Sequence, residues 1–204
     1  MTSNSYCCAF KLILFTVIIS IVIADISSDV KYLRQQYNAG KNEANQIIIQ
    51  YQDKRIHDED LLKKADTQIA PHVQINVKTD PKMPFFTLLM VDPDAPQRGN
   101  EIAGPWLHWI KASFKENYVN SGTTLADYQG PTPPDGTGPH QYIFLLYKSA
   151  TDEIVFDSGT IGVNDSRKHK QFQLQEFEKN NNLKLIAATS FIVKAKQTNK
   201  HENL

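Results

Sequence analysis

The residues best equipped for chemistry lie between Asp92 and Tyr142, in three short runs. These are Asp92-Pro93-Asp94-Ala95-Pro96, Trp106-Leu107-His108-Trp109 and Pro133-Pro134-Asp135-Gly136-Thr137-Gly138-Pro139-His140-Gln141-Tyr142. Each borders an apolar segment, so its polar groups are expected at strand ends, where loops commonly carry function. His108 stands inside its segment, and alternation puts Trp106, His108 and Ile110 on one face. If the runs converge, protonated imidazoles, the Tyr142 hydroxyl and backbone N–H groups from Gly136 to Gly138 would bind an anion such as phosphate. Singly, each feature has a plainer use. A lone strand histidine is commonly structural. In an Asp-Pro-Asp turn stiffened by Pro93 and Pro96, an aspartate caps the turn by accepting backbone N–H bonds. The two carboxylates need not both face one ligand.

Asp92, Asp94, His108 and His140 are also of the types that ligate zinc or iron. No His-x-x-x-His or comparable spacing accompanies them, so neither a metal nor another cofactor is expected. The chain lacks a Gly-x-Ser-x-Gly elbow, a P-loop and a dinucleotide fingerprint. Acid–base groups without an evident nucleophile point to binding rather than catalysis, and no enzyme activity is expected. The 22 Lys and Arg balance 22 Asp and Glu. That balance gives no bulk attraction to nucleic acid or anionic membrane.

The elements that must position these groups are mainly strands. Ile47 to Tyr51 is a strand candidate, and Val73 to Val77 alternates as a half-buried strand does. Phe85 to Val91 is continuously apolar between Pro84 and Pro93, as a strand buried on both faces would be. Trp106 to Phe114, Tyr142 to Tyr147, Ile154 to Phe156 and Leu183 to Val193 read as further strands. Helical spacing occurs over Asp29 to Tyr37, with Ser28 as cap, and over Lys168 to Asn180. Asp58 to Lys64 reads as a short helix or a loop. Many strands and two helices indicate packed sheets with antiparallel pairing.

The N-terminal 24 residues read as a secretory leader. Leu12 to Ala24 is an apolar run behind Lys11, shorter than the roughly 20 residues that span a bilayer, and Val22 and Ala24 suit a signal-peptidase site. The mature chain would start at Asp25 and be secreted, without a stable membrane span. Both cysteines, Cys7 and Cys8, precede that point, so no disulfide would brace the mature protein. Asn164-Asp165-Ser166 is a glycosylation sequon in a predicted loop. The folded domain is expected over residues 25–195, followed by a polar tail over 196–204.

The three runs, in this order, resemble the signatures of the phosphatidylethanolamine-binding protein family, to which the Raf kinase inhibitor protein belongs. Asp92-Pro93-Asp94-Ala95-Pro96 with Arg98 resembles the first signature, Trp106-Leu107-His108 the Trp-x-His strand, and Gly136 to Tyr142 the second signature. The wider pattern of strands and late helix extends the likeness over Asp29 to Val193. The resemblance implies a mainly β fold: a large central antiparallel sheet packed on a smaller sheet, with a few peripheral helices. It also implies a small pocket at one end of the sheet for phosphate-type headgroups. Its wall would be Asp92, Asp94, Pro96, Trp106, His108, Pro133, Gly138, His140 and Tyr142, with Asp92 orienting a histidine or binding a ligand amine. Several positions depart from the pattern. Gln97 replaces a serine, Thr132 a glycine, Gln141 an arginine, and Phe191 a tyrosine. The C-terminal helix of animal cytosolic members gives way to the polar tail.

On this reading the chain is a secreted binding protein for phospholipid headgroups or related phosphate compounds. A protein partner, such as an extracellular serine protease that the chain inhibits, is the alternative.

Overall fold

The run before the first Asp-Pro is apolar throughout because both faces of its strand are covered. The computed structural model describes residues 28–196, and strand β5 (Phe85–Asp92) lies in the middle of them. Phe86, Leu88 and Met90 point into one core, whereas Leu89 and Val91 point into another. Burial of each such side chain contributes about 1.5–3 kcal/mol.

Strand β5 is central to a six-stranded sheet ordered β3-β9-β8-β5-β6-β7. Its members are β3 (Asp60–Leu62), β6 (Trp106–Lys115), β7 (Thr123–Ala126), β8 (Pro139–Ser149) and β9 (Lys184–Lys194). A three-stranded sheet, β2-β1-β4, is built from β1 (Gln46–Tyr51), β2 (Lys54–Ile56) and β4 (His72–Asn76). Pairing is antiparallel except between β3 and β9, which run parallel. The smaller sheet supplies Ile47, Ile49, Val73 and Ile75 to the first core. The second core lies between the opposite face of the large sheet and the helices. There Leu33 and Tyr37 from helix α1 (28–40), and Leu174 and Phe177 from helix α3 (Leu174–Asn180), meet Leu107, Ile143 and Leu145. The layers are therefore small sheet, large sheet, helices. This is the mainly β architecture expected, with one parallel edge.

Some expected elements differ. Ile154 to Phe156 forms no strand. Its backbone pairs instead with one side chain, since Val155 N–H donates to Asn181 Oδ1 at 2.6 Å and Asn181 Nδ2 donates to Val155 O at 3.0 Å. Phe156 packs edge-on to Phe172 and Phe177. The helix expected over Lys168 to Asn180 is broken into α2 (Ser166–His169) and α3. At the break Gln171 takes φ 51°, and the N–H groups of Gln171 and Phe172 donate to Ala103 O and Pro105 O. Tertiary bonds to the loop before β6 thus replace a helical turn. Residue 28 already lies within α1 rather than capping it. Asp58 to Lys64 holds strand β3 where a short helix or loop was expected. The apolar run Leu12 to Ala24, and the polar tail from residue 197, lie outside the described residues.

One irregularity bears directly on the site. Val91 pairs with Leu107 but Met90 pairs with Trp109, so His108 is an extra residue in β6. Such a bulge re-aims the side chains beyond it. Ile110 therefore joins the helix-side core with Leu107, not the face of His108 as strict alternation predicts.

Candidate functional site

The ends of β5, β6 and β8 enclose a cavity of about 150 Å³, lined by Asp92, Ala95, Pro96, Ala103, Trp106, His108, Thr132, Pro133, Pro134, His140 and Tyr142. Seven of the nine residues marked in the sequence stand in this wall, and Asp94 and Gly138 do not. A dry cavity of similar volume accepts a benzene-sized molecule.

Asp94 is fully occupied elsewhere. Its Oδ1 accepts Arg34 Nη2 at 2.7 Å and Arg98 Nε at 3.0 Å. Its Oδ2 accepts Arg98 Nη2 at 2.8 Å and the Gln141 N–H at 2.9 Å. A carboxylate has about four acceptor positions, and all are filled. Burial alone would raise its pKa, but Arg98, the Gln141 N–H and Arg34 hold it below the ordinary carboxyl value. Asp94 is a strut joining α1, the loop after β5 and β8.

Among the described residues, Asp92 accepts two hydrogen bonds. Its Oδ1 accepts the Asp94 N–H at 2.6 Å, and its Oδ2 accepts His140 Nδ1 at 2.8 Å. Both side chains of the Asp92–His140 pair are buried. On the far side of the ring, His140 Nε2 lies 3.1 Å from Thr137 Oγ1, which itself donates to Pro134 O at 2.7 Å. The threonine proton is thus directed at a carbonyl, and Oγ1 must accept from His140. Both ring nitrogens are then placed to donate, an arrangement that favours the imidazolium form of His140. Burial opposes that charge, but Asp92 outweighs it and raises the His140 pKa. Asp92 itself is pushed up by complete burial, with His140 pulling the other way.

His108 differs. Its Nδ1 lies 2.7 Å from Gln129 O, and a carbonyl only accepts, so Nδ1 carries a proton. Burial depresses its pKa to about 4, and His169 and His140 act in the same direction. Burial thus favours the neutral ring at physiological pH, and its Nε2 has no hydrogen-bond partner among the described residues. Protonated imidazoles in the plural were expected, and the surroundings favour the charged form at His140 alone. Tyr142 stands edge-on to His108, with ring centroids 5.1 Å apart, and stacks on Phe191 at 5.3 Å. Its hydroxyl makes no hydrogen bond among the described residues, and burial raises its pKa. Trp106 donates to Gln129 Oε1 at 2.6 Å and stacks on His169.

Two of the three N–H groups in the expected cradle, from Gly136 to Gly138, are already in use. Gly136 N–H donates to Lys196 O and Thr137 N–H to Pro134 O. Gly138 serves the turn through its φ of +82°, and a Cβ there would meet nothing within 4 Å. Of the departures, Gln141 points away from the cavity and donates to Ser190 Oγ at 3.0 Å. Phe191 lies beneath Tyr142 in the first core and lines no part of the cavity. Gln97 is exposed, and Thr132 sits on the rim. Sequence reading passed over Gln129, whose backbone orients His108 and whose side chain holds Trp106. It also passed over Arg34 and His169. No spacing links these three to the runs, because only the fold brings them there. Among the described residues, no group of three or more His, Cys, Asp or Glu is placed to hold a metal ion. No helix among them is long and apolar enough to cross a membrane.

These features define a two-sheet β protein with a small walled cavity at the strand ends. The phosphatidylethanolamine-binding protein family model matches residues 52–192, and the chain belongs to that family. A Drosophila melanogaster protein named "Putative odorant-binding protein A5" is 30% identical over 111 residues, 54% of this chain and 52% of that relative. The match thus spans about half of the relative's length. The crystal structure of carboxypeptidase Y inhibitor complexed with the cognate proteinase is similar in fold. It gives a TM-score of 0.66 at 24% identity, over 85% of this chain and 96% of that one. The phosphatidylethanolamine-binding protein of Plasmodium vivax aligns with a TM-score of 0.57 at 18% identity, over 74% and 86% of the two chains.

Proposed function

We propose that this chain is an exported binding protein for headgroup-sized phosphate compounds such as phosphoethanolamine. The observation that carries the reading is the cavity wall. Tyr142 offers a hydroxyl with no hydrogen-bond partner among the described residues, in the same wall as the His140–Asp92 pair, so a phosphate oxygen can accept from Tyr142 while His140 lies close by. At about 150 Å³ the cavity suits a headgroup, and an acyl chain would remain outside. Asp92 retains acceptor positions for a ligand amine. Membership of a family named for phosphatidylethanolamine supports the ligand class. Export rests on the leader read in residues 1–24, and N-terminal sequencing of secreted protein, expected to begin at Asp25, tests it. The Asn164 sequon lies on an exposed turn before α2, as an occupied site requires. Isothermal titration with phosphoethanolamine is expected to give binding heat that His140→Ala abolishes. Absence of heat at millimolar ligand would refute the reading.

The likeness in fold to carboxypeptidase Y inhibitor, seen in complex with a proteinase, supports a second reading in which a protein is the partner. An extracellular protease inhibited in a panel of serine proteases would favour it, and full activity across the panel would dismiss it.

A further inference from the structure

A second hollow, of about 180 Å³, shares a segment of chain with the cavity wall. Its floor is Phe156, Phe172 and Phe177, and Val155 stands at its lip. The shared segment runs from Lys168 to Phe172. His169 stacks on Trp106, and the Gln171 N–H donates to Ala103 O. Trp106 and Ala103 both belong to the cavity, whereas Lys168, Lys170, Gln171 and Phe172 line the hollow. Two departures from regular structure shape it. Residues 154–156 are held by Asn181 instead of a strand partner, and Val155 is 56% exposed. Gln171, at φ 51°, breaks the helix and brings Phe172 against Phe156 and Phe177, with ring centroids 5.6 to 6.5 Å apart.

The rim carries Lys168 and Lys170 and also Asp157 and Glu176. None of the four forms an ion pair among the described residues. Two charges of each sign cancel, so the hollow has no net pull on a second anion. What it offers is phenyl surface to an apolar group brought there by another attachment. The cavity supplies such an attachment, since it holds a headgroup and leaves the attached chain outside. Lys170 joins the two spaces, with its Nζ 6.0 Å from the centre of the Trp106 ring. An ammonium without a carboxylate partner among the described residues thus stands between them, complementary to a phosphate. We propose that the hollow receives the apolar chain of the molecule whose phosphate occupies the cavity, so that the ligand is a single-chain phosphate ester. The hollow is little larger than a benzene-sized space of about 150 Å³, so it takes part of one chain and not two. This assignment rests on the phosphate-binding reading and deepens it, by naming what the phosphate is attached to.

Methyl, butyl, hexyl and octyl phosphate test this by isothermal titration with the protein. Each methylene laid on the phenyl floor should tighten binding about two- to fourfold, the usual effect of partly or fully burying a methylene, until the hollow is full. Val155→Asp sets a charge on the exposed lip without entering the core. It should erase the gain along the series, with methyl phosphate as the internal control. Glycerophosphoethanolamine and its hexanoyl ester repeat the comparison for diesters. A gain on acylation assigns single-chain phospholipids, and a gain confined to the alkyl phosphates assigns monoesters. Should Val155→Asp fail to fold, nuclear Overhauser contacts in wild type decide: the octyl chain must meet the rings of Phe156, Phe172 or Phe177. Affinity independent of chain length, a gain that Val155→Asp leaves intact, or octyl contacts only to other rings would overturn the chain site and leave phosphate binding standing. No heat with any member of the series at millimolar concentration would overturn the phosphate reading and the chain site with it.

Discussion

Tyr142→Phe separates binding from stability, because the hydroxyl it removes has no hydrogen-bond partner among the described residues. The ring would keep its stack on Phe191 at 5.3 Å and its edge contact with His108 at 5.1 Å. No intramolecular hydrogen bond is lost, so unfolding free energy should stay within about 0.5 kcal/mol of wild type. Binding should respond strongly. A hydrogen bond from a neutral hydroxyl to an ionised phosphate oxygen is worth about 1.5–3 kcal/mol. At 1.4 kcal/mol per factor of ten, that is about a 10- to 150-fold rise in Kd. Titration with phosphoethanolamine, beside thermal denaturation of both proteins, reads the two quantities. An unchanged Kd would remove Tyr142 from anion contact. A loss of more than about 1 kcal/mol of stability would mean that the hydroxyl has an internal partner.

Three further outcomes follow from the same geometry. In Asp92→Asn, His140 loses its counter-charge and burial dominates, so its pKa should fall in an NMR titration, with stability down by about 1.5–3 kcal/mol. In wild type the His140 contribution is complete below the unfolded imidazole value of about 6.5. It disappears as pH rises through the higher folded value, so a melting temperature flat across that range would contradict it. Asp94 has the opposite sign, since its folded pKa is lowered. Its contribution is complete above the unfolded carboxyl value of about 3.9 and is lost as pH falls through the folded one. Asp94→Asn should therefore flatten the acid limb of a plot of melting temperature against pH. Finally, Thr87 Oγ1 is buried without a hydrogen-bond partner among the described residues, so Thr87→Val should raise stability by about 1 kcal/mol in urea denaturation. A drop would show that the hydroxyl is satisfied.

The sequence was informative where one periodicity or one motif decides the outcome. The alternation in Val73 to Val77 and the apolar run Phe85 to Val91 gave strands because each pattern matches only one pairing of faces. The three polar runs gave most of the cavity wall. The failures share a cause, which is that tertiary partners override local pattern. Ile154 to Phe156 has strand residues, but Asn181 takes its backbone bonds. Lys168 to Asn180 has helical spacing, but Ala103 O and Pro105 O claim two of its N–H groups and break it. Ile110 was placed on the face of His108, but a bulge, invisible in composition, moved it to the other side. The protonation of each histidine was equally hidden, because it depends on Gln129 O behind one ring and on Asp92 and Thr137 around the other.

The two aspartates of the first run show why a motif does not assign roles. They are two residues apart and both are buried, yet their partners divide them. Four donors saturate Asp94, two of them from Arg98 in a side-by-side pair. With Arg98 and Arg34 already neutralising that carboxylate, an arginine at position 141 has no charge left there to balance. Position 141 meets Asp94 through its backbone N–H, which does not depend on the side chain, and the Gln141 amide donates to Ser190 on β9. Asp94 thereby fixes the start of β8, and with it the place of His140 one residue earlier. Asp92 accepts two bonds among the described residues, and one of them favours the charged form of that same histidine. One aspartate fixes where the imidazole stands and the other fixes how it is protonated. Replacing them should have separable effects: position and packing for Asp94, titration and ligand affinity for Asp92.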